Sequence, residues 1–403
     1  MFTVSIVALV VAGQIYFYRL ARRALERRLG RTRALTLLLV LIALLAGALA
    51  VVWLDNAWLD DPWLDTARLR QLWGRSVRVG PVISLGAGIW VTGAAGAGLI
   101  LLAGTLIRRK LRRRSSTRSA EGTTTATRRE FLWKAARTTA ALAPFGAAAY
   151  GTLLVRSDFE LREVKFPVRD LPAELEGLRI ALLTDIHFGP YLTLPELGRV
   201  IDMTNETQPH LTLVTGDFIT RVGDPLETCL RQVARLRAEA GVFGCLGNHE
   251  IYADCQDLTE SRARSLGIEI LRRRSKLLQF GQGKLNLAGV DYQRKKAPYL
   301  VGASRLIQPG AVNLLMSHNP DVFPVAANLG YDLVVGGHTH GGQVTLEILE
   351  QTLNVGRFFT PFVAGLYRRG SSSLYVSRGI GTINLPMRLG ARPEVSLLRL
   401  QRV

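Results

Sequence analysis

The sequence is poor in cysteine and histidine, and it contains no repeated segment of fixed period. Three cysteines among 403 residues are too few for a disulfide framework. Cys245 and Cys255 lie close together in the chain, so the sequence is compatible with a bridge between them and equally with three separate thiols. The six histidines are more informative, because five of them fall within short polar motifs that each follow an apolar run.

Basic residues are concentrated in the first part of the chain. The formal net charge is +19, but residues 1–155 hold 22 Lys and Arg against 7 Asp and Glu, whereas residues 156–403 hold 29 against 25. The excess of positive charge therefore coincides with the long apolar runs of the first part. This pattern indicates a membrane-topology signal rather than binding to a phosphate backbone, and no nucleic-acid partner is expected.

Four apolar runs predict an all-α membrane region of about four transmembrane helices. A helix needs about 20 apolar residues to cross a bilayer. These runs show no polar face, which a helix packed against a soluble core would present to water. We therefore predict a membrane region over residues 1–155 and a second domain over residues 156–403. The runs cover residues 4–17, 34–54, 79–107 and 138–155.

The connecting segments predict an orientation. Residues 18–33 and 108–114 are rich in arginine, so both are expected on the cytoplasmic side. Residues 55–78, expected on the opposite side, carry four aspartates and three tryptophans but also four arginines. The difference in positive charge between the two sides is therefore one of degree. The expected result is a multi-pass protein of the cell membrane whose domain over residues 156–403 is extracytoplasmic.

The segment before the fourth apolar run resembles a twin-arginine export signal. It reads Thr127-Arg128-Arg129-Glu130-Phe131-Leu132 with Lys134 after it, behind a Ser- and Thr-rich linker over residues 115–127. Such signals normally open a chain, whereas this one follows three predicted spans. The alternative is an ordinary basic flank of a membrane helix, and both interpretations place the second domain outside the cytoplasm.

Residues 156–403 alternate short apolar strands with amphipathic helices, as α/β domains do. Five predicted strands each end in polar side chains suited to metal binding. Since open α/β sheets build their sites at the carboxyl ends of strands, these side chains are expected to meet. The strands are predicted at 178–184, 211–215, 241–246, 312–316 and 331–335, and the helices at 195–205, 225–240 and 320–328.

The last of these strands leads into His338 and His340, which lie between two pairs of glycines. A β-type backbone puts residues i and i+2 on one face, so both imidazoles can point into one site. The glycines allow the chain to turn sharply beside a ligand. Neutral imidazole is the commonest metal ligand, although two histidines in a tight loop would not by themselves establish a site.

The ordered set of motifs resembles the calcineurin-like metallophosphoesterase superfamily. The tail over residues 377–394 resembles its bacterial membrane-associated branch, and the resemblance covers about residues 178–400. It implies a four-layer αββα sandwich of two mixed sheets. The motifs are Asp185-x-His187, Gly216-Asp217, Gly247-Asn248-His249-Glu250, Ser317-His318 and Gly337-His338-Thr339-His340.

The resemblance also implies a ligand set for two divalent ions. One ion would be held by Asp185, His187 and His340, the other by Asn248, His318 and His338, and Asp217 would bridge them. Imidazole, carboxylate and amide ligands without a thiolate suit Mn, Fe or Zn.

Three further residues have expected roles. His249 is expected to donate a proton to the leaving oxygen or to stabilise the transferring phosphoryl group, the alternative being a hydrogen-bonding role beside the ligands. Glu250 is expected to support its loop, and His210 to have a surface or capping role.

These features predict a metal-dependent phosphoesterase that acts on a phosphodiester or phosphomonoester, with a lipid or envelope phosphate suggested by the membrane region alone. A non-catalytic membrane sensor or scaffold that retains a metal site is the alternative. A nucleic-acid phosphodiesterase is disfavoured by the nearly balanced charge of residues 156–403. The sequence does not indicate an oligomeric state. Arg272–Arg274 and residues 292–299 are candidates to bind a phosphate or a headgroup, and an exposed solvated face explains them equally well. Residues 358–367 are either a hydrophobic lip or core.

Overall fold

The computed structural model describes residues 2–40, 80–114, 128–294, 299–348, 351–383 and 385–403. Its internal contacts divide the chain into two compact units. The first contains the amino-terminal helices and ends at Leu153, and the second contains the rest of the chain from Leu154 to Val403.

The first unit is helical throughout its described part. Gly13, in the helix Phe2–Leu29, and Gly98, in the helix Gly80–Arg114, approach closely, since a Cβ at Gly98 would lie 2.0 Å from the Gly13 carbonyl oxygen. Such small residues let apolar helices pack backbone to backbone. The helices are α1 (Phe2–Leu29), a stretch over residues 31–40, α2 (Gly80–Arg114) and α3 (Arg128–Leu153).

Two described helical segments are long and apolar enough to cross a membrane, Leu85–Ile107 and Glu130–Ser157. They correspond to the third and fourth predicted spans. The first predicted span lies in α1, whose apolar part ends at Arg19. Most of the second predicted span, the segment 55–78 and the linker 115–127 lie outside the described residues. The structure thus supports two of the four spans.

The second unit is built on two six-stranded sheets. The first has the order β1-β14-β2-β3-β4-β5, and the second has the order β12-β13-β9-β8-β7-β6. The strands are β1 (Glu160–Val168), β2 (Arg179–Leu183), β3 (Leu211–Thr215), β4 (Val242–Cys245), β5 (Ile268–Ile270), β6 (Arg274–Phe280), β7 (Gly283–Gly289), β8 (Val312–Met316), β9 (Leu333–Gly336), β10 (Thr345–Ile348), β11 (Gln351–Asn354), β12 (Gly365–Arg369), β13 (Ser372–Val376) and β14 (Glu394–Arg402).

Both sheets are mixed, as predicted. In the first sheet, β14 runs antiparallel to β2, and the other neighbouring pairs are parallel. In the second sheet, the two outer pairs are antiparallel and the pairs from β7 through β8 and β9 to β13 are parallel. A parallel pair places equivalent strand ends at one edge. The polar motifs after β2, β3 and β4, and those after β8 and β9, therefore emerge together.

Three apolar clusters define the layers. One cluster lies between the sheets and joins residues such as Ile180 and Leu213 of the first sheet to Leu314 and Val335 of the second. The other two clusters cover the outer faces under helices and turns, with Leu197 in one and Phe323 in the other. The helices are α4 (Leu194–Glu206), α5 (Leu226–Val233), α6 (Asn248–Tyr252), α7 (Gln256–Ser265) and α8 (Phe323–Leu329).

Among the three helices that were predicted, α5 differs most from its expected limits. The helix predicted over residues 225–240 ends at Val233. Beyond it, the backbone N–H groups of Glu239 and Ala240 donate to the carbonyls of Pro209 and His210, the residues that lead into β3. These tertiary hydrogen bonds replace the helical ones and anchor the entry to the strand.

Candidate metal centre

The strand ends bring together the eight residues that sequence reasoning assigned to the site. Asp185 and His187 follow β2, and Asp217 follows β3. Asn248 and His249 open α6 after β4. His318 follows β8, and His338 and His340 follow β9. All are buried except His338, which is half-buried.

One group of ligand atoms is formed by Asp185, His187 and His340. The His340 Nε2 atom lies 3.2 Å from His187 Nε2 and 3.3 Å from Asp185 Oδ1. Ligands placed tetrahedrally about 2.1 Å from one ion are separated by about 3.4 Å. These separations therefore suit a single ion.

A second group is formed by Asp217, His318 and His338. The His318 Nε2 atom lies 3.0 Å from Asp217 Oδ2 and 3.2 Å from His338 Nδ1. The same Asp217 Oδ2 atom lies 3.5 Å from His187 Nε2 in the first group. One carboxylate oxygen thus faces both groups, which is the position of a bridging ligand.

The peptide backbone fixes which ring nitrogen of two histidines carries a proton. Because a carbonyl oxygen only accepts, His318 Nδ1 must donate to the Thr215 carbonyl, 2.7 Å away. The lone pair of the neutral His318 ring is then on Nε2, which faces Asp217. In the same way His249 Nδ1 donates to the Thr220 carbonyl, so the acid–base edge of this ring is Nε2.

The site fits divalent metal binding on two further observations. The Asn248 side-chain oxygen is buried and has no hydrogen-bond partner among the described residues, as a carbonyl ligand to an ion would be. Gly337 and Gly247 let the backbone approach the carboxylates, because a Cβ would lie 2.1 Å from Asp185 Oδ2 at Gly337 and 2.0 Å from Asp217 Oδ1 at Gly247. Only glycine allows these contacts.

The backbone at the site is strained. Asp185, His187, Asp217, His338 and His340 have φ values between 47° and 70°, in the left-handed region that residues with a Cβ rarely adopt. Such conformations persist where the surrounding structure over-determines them, and they cluster at functional sites. No pattern in the sequence predicted these left-handed backbone conformations.

Burial and neighbouring charges set the protonation of the ligands. Burial lowers the pKa of His187 and His340 well below the usual value and that of His338 to about 4, so these rings are neutral. Burial acts to raise the pKa of Asp217, but His318 and His249 hold it well below its usual range. Burial acts to lower the pKa of His318, but the Asp217 and Asp185 carboxylates raise it to about 10, so this ring must lose a proton before it can bind a metal. At neutral pH the chain therefore offers three neutral imidazoles and one protonated imidazole beside the ionised Asp217 carboxylate.

Two buried charged residues support the ligand loops. Glu250 accepts from the backbone N–H groups of Gly247, Asp217 and Phe218, which confirms its expected loop-supporting role. Burial and the Asp217 charge raise the pKa of Glu250 to about 7. Arg388, which sequence reasoning noted only as part of the family-like tail, is fully buried and donates to backbone carbonyls around His340 and Gly381.

Several other sequence candidates lie elsewhere. Arg272–Arg274 form ion pairs with Asp257, Glu260 and Asp291, which does not favour their use as headgroup contacts. His210 is half-buried, and its Nδ1 accepts from the Arg179 N–H at the start of β2, outside the ligand cluster. Cys229, Cys245 and Cys255 are buried free thiols.

The segment 358–367 divides between core and exposed surface. Phe362 packs with its ring centroid 5.7 Å from that of Phe323 and 5.2 Å from that of Tyr367, within the outer layer of the second sheet. Phe358 and Phe359, by contrast, are more than half exposed. The core interpretation therefore holds for Phe362 and Tyr367.

Comparison with known proteins agrees with this geometry. The calcineurin-like phosphoesterase family matches residues 178–342. A "transmembrane protein with metallophosphoesterase domain" of Danio rerio is 30% identical over 63% of this chain and 60% of its own length. The metallophosphoesterase YkuE of Bacillus subtilis is 28% identical over 68% and 97%, and the phosphodiesterase YaeI of Escherichia coli is 29% identical over 68% and 98%.

The chain spans about 60% of the length of the vertebrate relatives it matches. The family match covers the described segments that carry all eight site residues. A divalent metal site in this family agrees with the buried cluster of histidines and aspartates. Residues 178–342 of the chain form a domain of the calcineurin-like phosphoesterase superfamily.

Proposed function

We propose that residues 156–403 form a dinuclear metal-dependent phosphoesterase that hydrolyses phosphodiester or phosphomonoester bonds. The observation that carries the proposal is the position of Asp217 Oδ2, which lies 3.5 Å from His187 Nε2 and 3.0 Å from His318 Nε2. One oxygen shared by two buried ligand groups is the arrangement that a pair of ions needs. The similarity to phosphoesterases supports the same activity.

The proposed ligands divide as the sequence resemblance implied. Asp185, His187 and His340 would hold one ion, and Asn248, His318 and His338 the other, with Asp217 between them. The donor set suits Mn, Fe or Zn. When bound, a pair of such ions supplies hydroxide near neutral pH and neutralises charge on the phosphoryl oxygens.

His249 is the proposed proton donor to the leaving oxygen. Its Nδ1 atom is engaged with the Thr220 carbonyl, so a proton available for transfer is held on Nε2. The ring packs edge to face against His187, with centroids 4.7 Å apart, which fixes the direction of Nε2 beside the ligand cluster. A positioned acid of this kind contributes about 10²- to 10⁴-fold to a rate.

The proposed setting is a multi-pass membrane protein with this domain outside the cytoplasm. Two apolar helices support membrane association, as does the name of the Danio rerio relative. The arginine-rich segments 18–33 and 108–114 support the orientation. A lipid or envelope phosphate ester is the proposed substrate class, on the ground of the membrane region.

Metal content and hydrolysis of bis-p-nitrophenyl phosphate by the full-length protein in detergent test the proposal. We expect about two transition-metal ions per chain. Asp217→Ala should lose both metal and activity, whereas His249→Ala should keep the metal and lose about 10²-fold or more in kcat. His210→Gln, remote from the ligand cluster, is the matched histidine control.

Folded protein that binds no Mn, Fe or Zn and stays inactive when these ions are supplied would refute the enzyme. It would favour a membrane sensor or scaffold instead. Equal metal loss in Asp217→Ala and His249→Ala would instead make His249 a ligand.

A further inference from the structure

A cavity of about 350 Å³ opens beside the second ligand group. Its wall includes His338, so a phosphate ester at the metal centre would place one organic substituent in it. The volume is at the small end of the range for ligand pockets. The other walls are formed by Tyr292, Asn319, Asp321, Phe359 and Thr360.

Two aromatic side chains line the cavity. The Tyr292 ring lies 5.5 Å from the His338 ring, centroid to centroid, and so borders the ligand group directly. Burial raises the pKa of Tyr292 to about 12, so its hydroxyl keeps its proton at neutral pH. Phe359 forms another part of the wall and is 51% exposed, which puts it near the mouth.

Asp321 supplies the charge of the cavity. It is the one Asp, Glu, Lys or Arg among the described residues that line it. The Thr360 hydroxyl donates to Asp321 Oδ1, and the Asp321 backbone N–H donates to Asn319 Oδ1. The first bond holds the carboxylate, and the second holds the backbone of the same residue. A wall of this composition repels a second phosphate or a carboxylate and attracts a cation.

We propose that this cavity binds a cationic alkylammonium substituent of the phosphate ester, of the choline or ethanolamine type. The inference rests on the proposed phosphoesterase function and adds its substrate class. Aromatic faces and a fixed carboxylate are the groups that recognise an ammonium ion. A phosphodiester that carries such a group occurs both as a lipid headgroup and as a soluble ester, and the two share this chemistry.

The test compares two esters that differ in one positive charge. They are p-nitrophenyl phosphocholine and p-nitrophenyl 3,3-dimethylbutyl phosphate, in which carbon replaces the quaternary nitrogen. With the metal-loaded full-length protein in detergent, we expect kcat/KM to favour the cationic ester by about tenfold, which is the product of about threefold from a partly exposed cation–π contact and about threefold from a partly exposed ion pair. Glycerophosphocholine and phosphatidylcholine in mixed micelles then distinguish the sources, and preferential hydrolysis of either supports the cavity assignment.

Three variants test which residues cause the preference for the cationic ester. Asp321→Asn keeps an acceptor for Thr360 and should reduce the ratio of the two kcat/KM values about threefold. Phe359→Leu, at a half-exposed position that tolerates the change, should reduce the ratio about threefold. Asp170→Asn removes an equal charge from a carboxylate that is 94% exposed, and it should keep the wild-type ratio.

Hydrolysis of both esters with equal kcat/KM would overturn the cavity assignment and leave the phosphoesterase intact. Hydrolysis of neither ester, nor of bis-p-nitrophenyl phosphate, would refute the phosphoesterase. Calorimetric binding of the matching non-hydrolysable phosphonates then decides the cavity separately, since equal affinities for the cationic and neutral phosphonates would also overturn it.

Discussion

Arg388→Met should destabilise the second unit and weaken its metal site together. The guanidinium is fully buried and donates to the carbonyls of Gly379, Gly381, Ala391 and His340. Burial lowers the pKa of Arg388 to about 10, which still leaves it charged at neutral pH. It therefore binds a ring of backbone oxygens behind the ligand loops.

The expected cost follows from the carbonyls that would lose their donor. Gly379 also accepts from the Glu394 N–H, and His340 from the Gln343 N–H. The carbonyls of Gly381 and Ala391, by contrast, accept from Arg388 and from no other donor among the described residues. Two buried acceptors left without a donor cost about 1–3 kcal/mol each, so unfolding should become easier by about 2–6 kcal/mol.

The effect on the metal site follows from the contacts of Gly381. Its N–H donates to the Asp185 carbonyl at 2.7 Å, and its α-carbon packs against His187, since a Cβ there would lie 2.8 Å from His187 Cβ. A shift of this loop therefore moves two proposed ligands. Losing such a supporting residue typically lowers metal affinity about 10- to 100-fold.

Pulse proteolysis in urea and calorimetric metal titration of the full-length protein in detergent measure the two effects. Arg388→Lys should recover part of both, because an ammonium donates to some of the same carbonyls. Arg399→Met is the control, since Arg399 is 40% exposed and pairs with Glu163 on the surface, at a cost of about 0–1 kcal/mol. Unchanged stability and metal affinity in Arg388→Met would refute the reasoning.

Three further substitutions test other parts of the site and fold. Gly337→Ala would place its Cβ 2.1 Å from Asp185 Oδ2, so calorimetry should show metal affinity at least about tenfold lower. Gly198→Ala is the control and should not lower the metal affinity, because the nearest atom to a Cβ at this position is the tip of a flexible arginine side chain. Glu250→Gln puts an amide N–H group against backbone donors, so the free energy of unfolding in urea should fall by about 2–4 kcal/mol. A fall of less than about 1 kcal/mol would contradict the role of the three hydrogen bonds that Glu250 accepts. Burial, and then Arg179, lower the pKa of His210 from 6.5, so its neutral ring stabilises the fold above pH 6.5 and this contribution is lost as the pH falls below that value. The urea midpoint of wild type should therefore fall more between pH 7 and pH 5 than that of His210→Gln, and parallel losses would exclude His210 as the cause.

The sequence predicted β2, β3, β4, β8 and β9, whose cores are continuous apolar runs, and did not predict the other nine described strands of the second unit. The predicted limits of β3 and β8 agree with the structure residue for residue. Runs of this kind are buried on both faces, so local pattern and tertiary environment favour the same state. The end of α5 was missed because hydrogen bonds to Pro209 and His210, remote in sequence, decide it. The membrane region was predicted from composition alone, and two of its four spans are supported.

The site shows why ligand identity is easier to predict than ligand support. His338 and His340 stand out because the pattern is local and glycine-flanked. Their left-handed backbone is held from a distance, by Arg388 through the His340 carbonyl and by Asp185, whose carboxylate accepts from the His338 N–H at 3.0 Å. A strained loop keeps its shape only when such contacts outweigh its strain, which is of order 1–3 kcal/mol per residue. The strain and its support therefore form one unit, and a chain that kept the histidines without Arg388 should keep the motif but lose affinity for the metal.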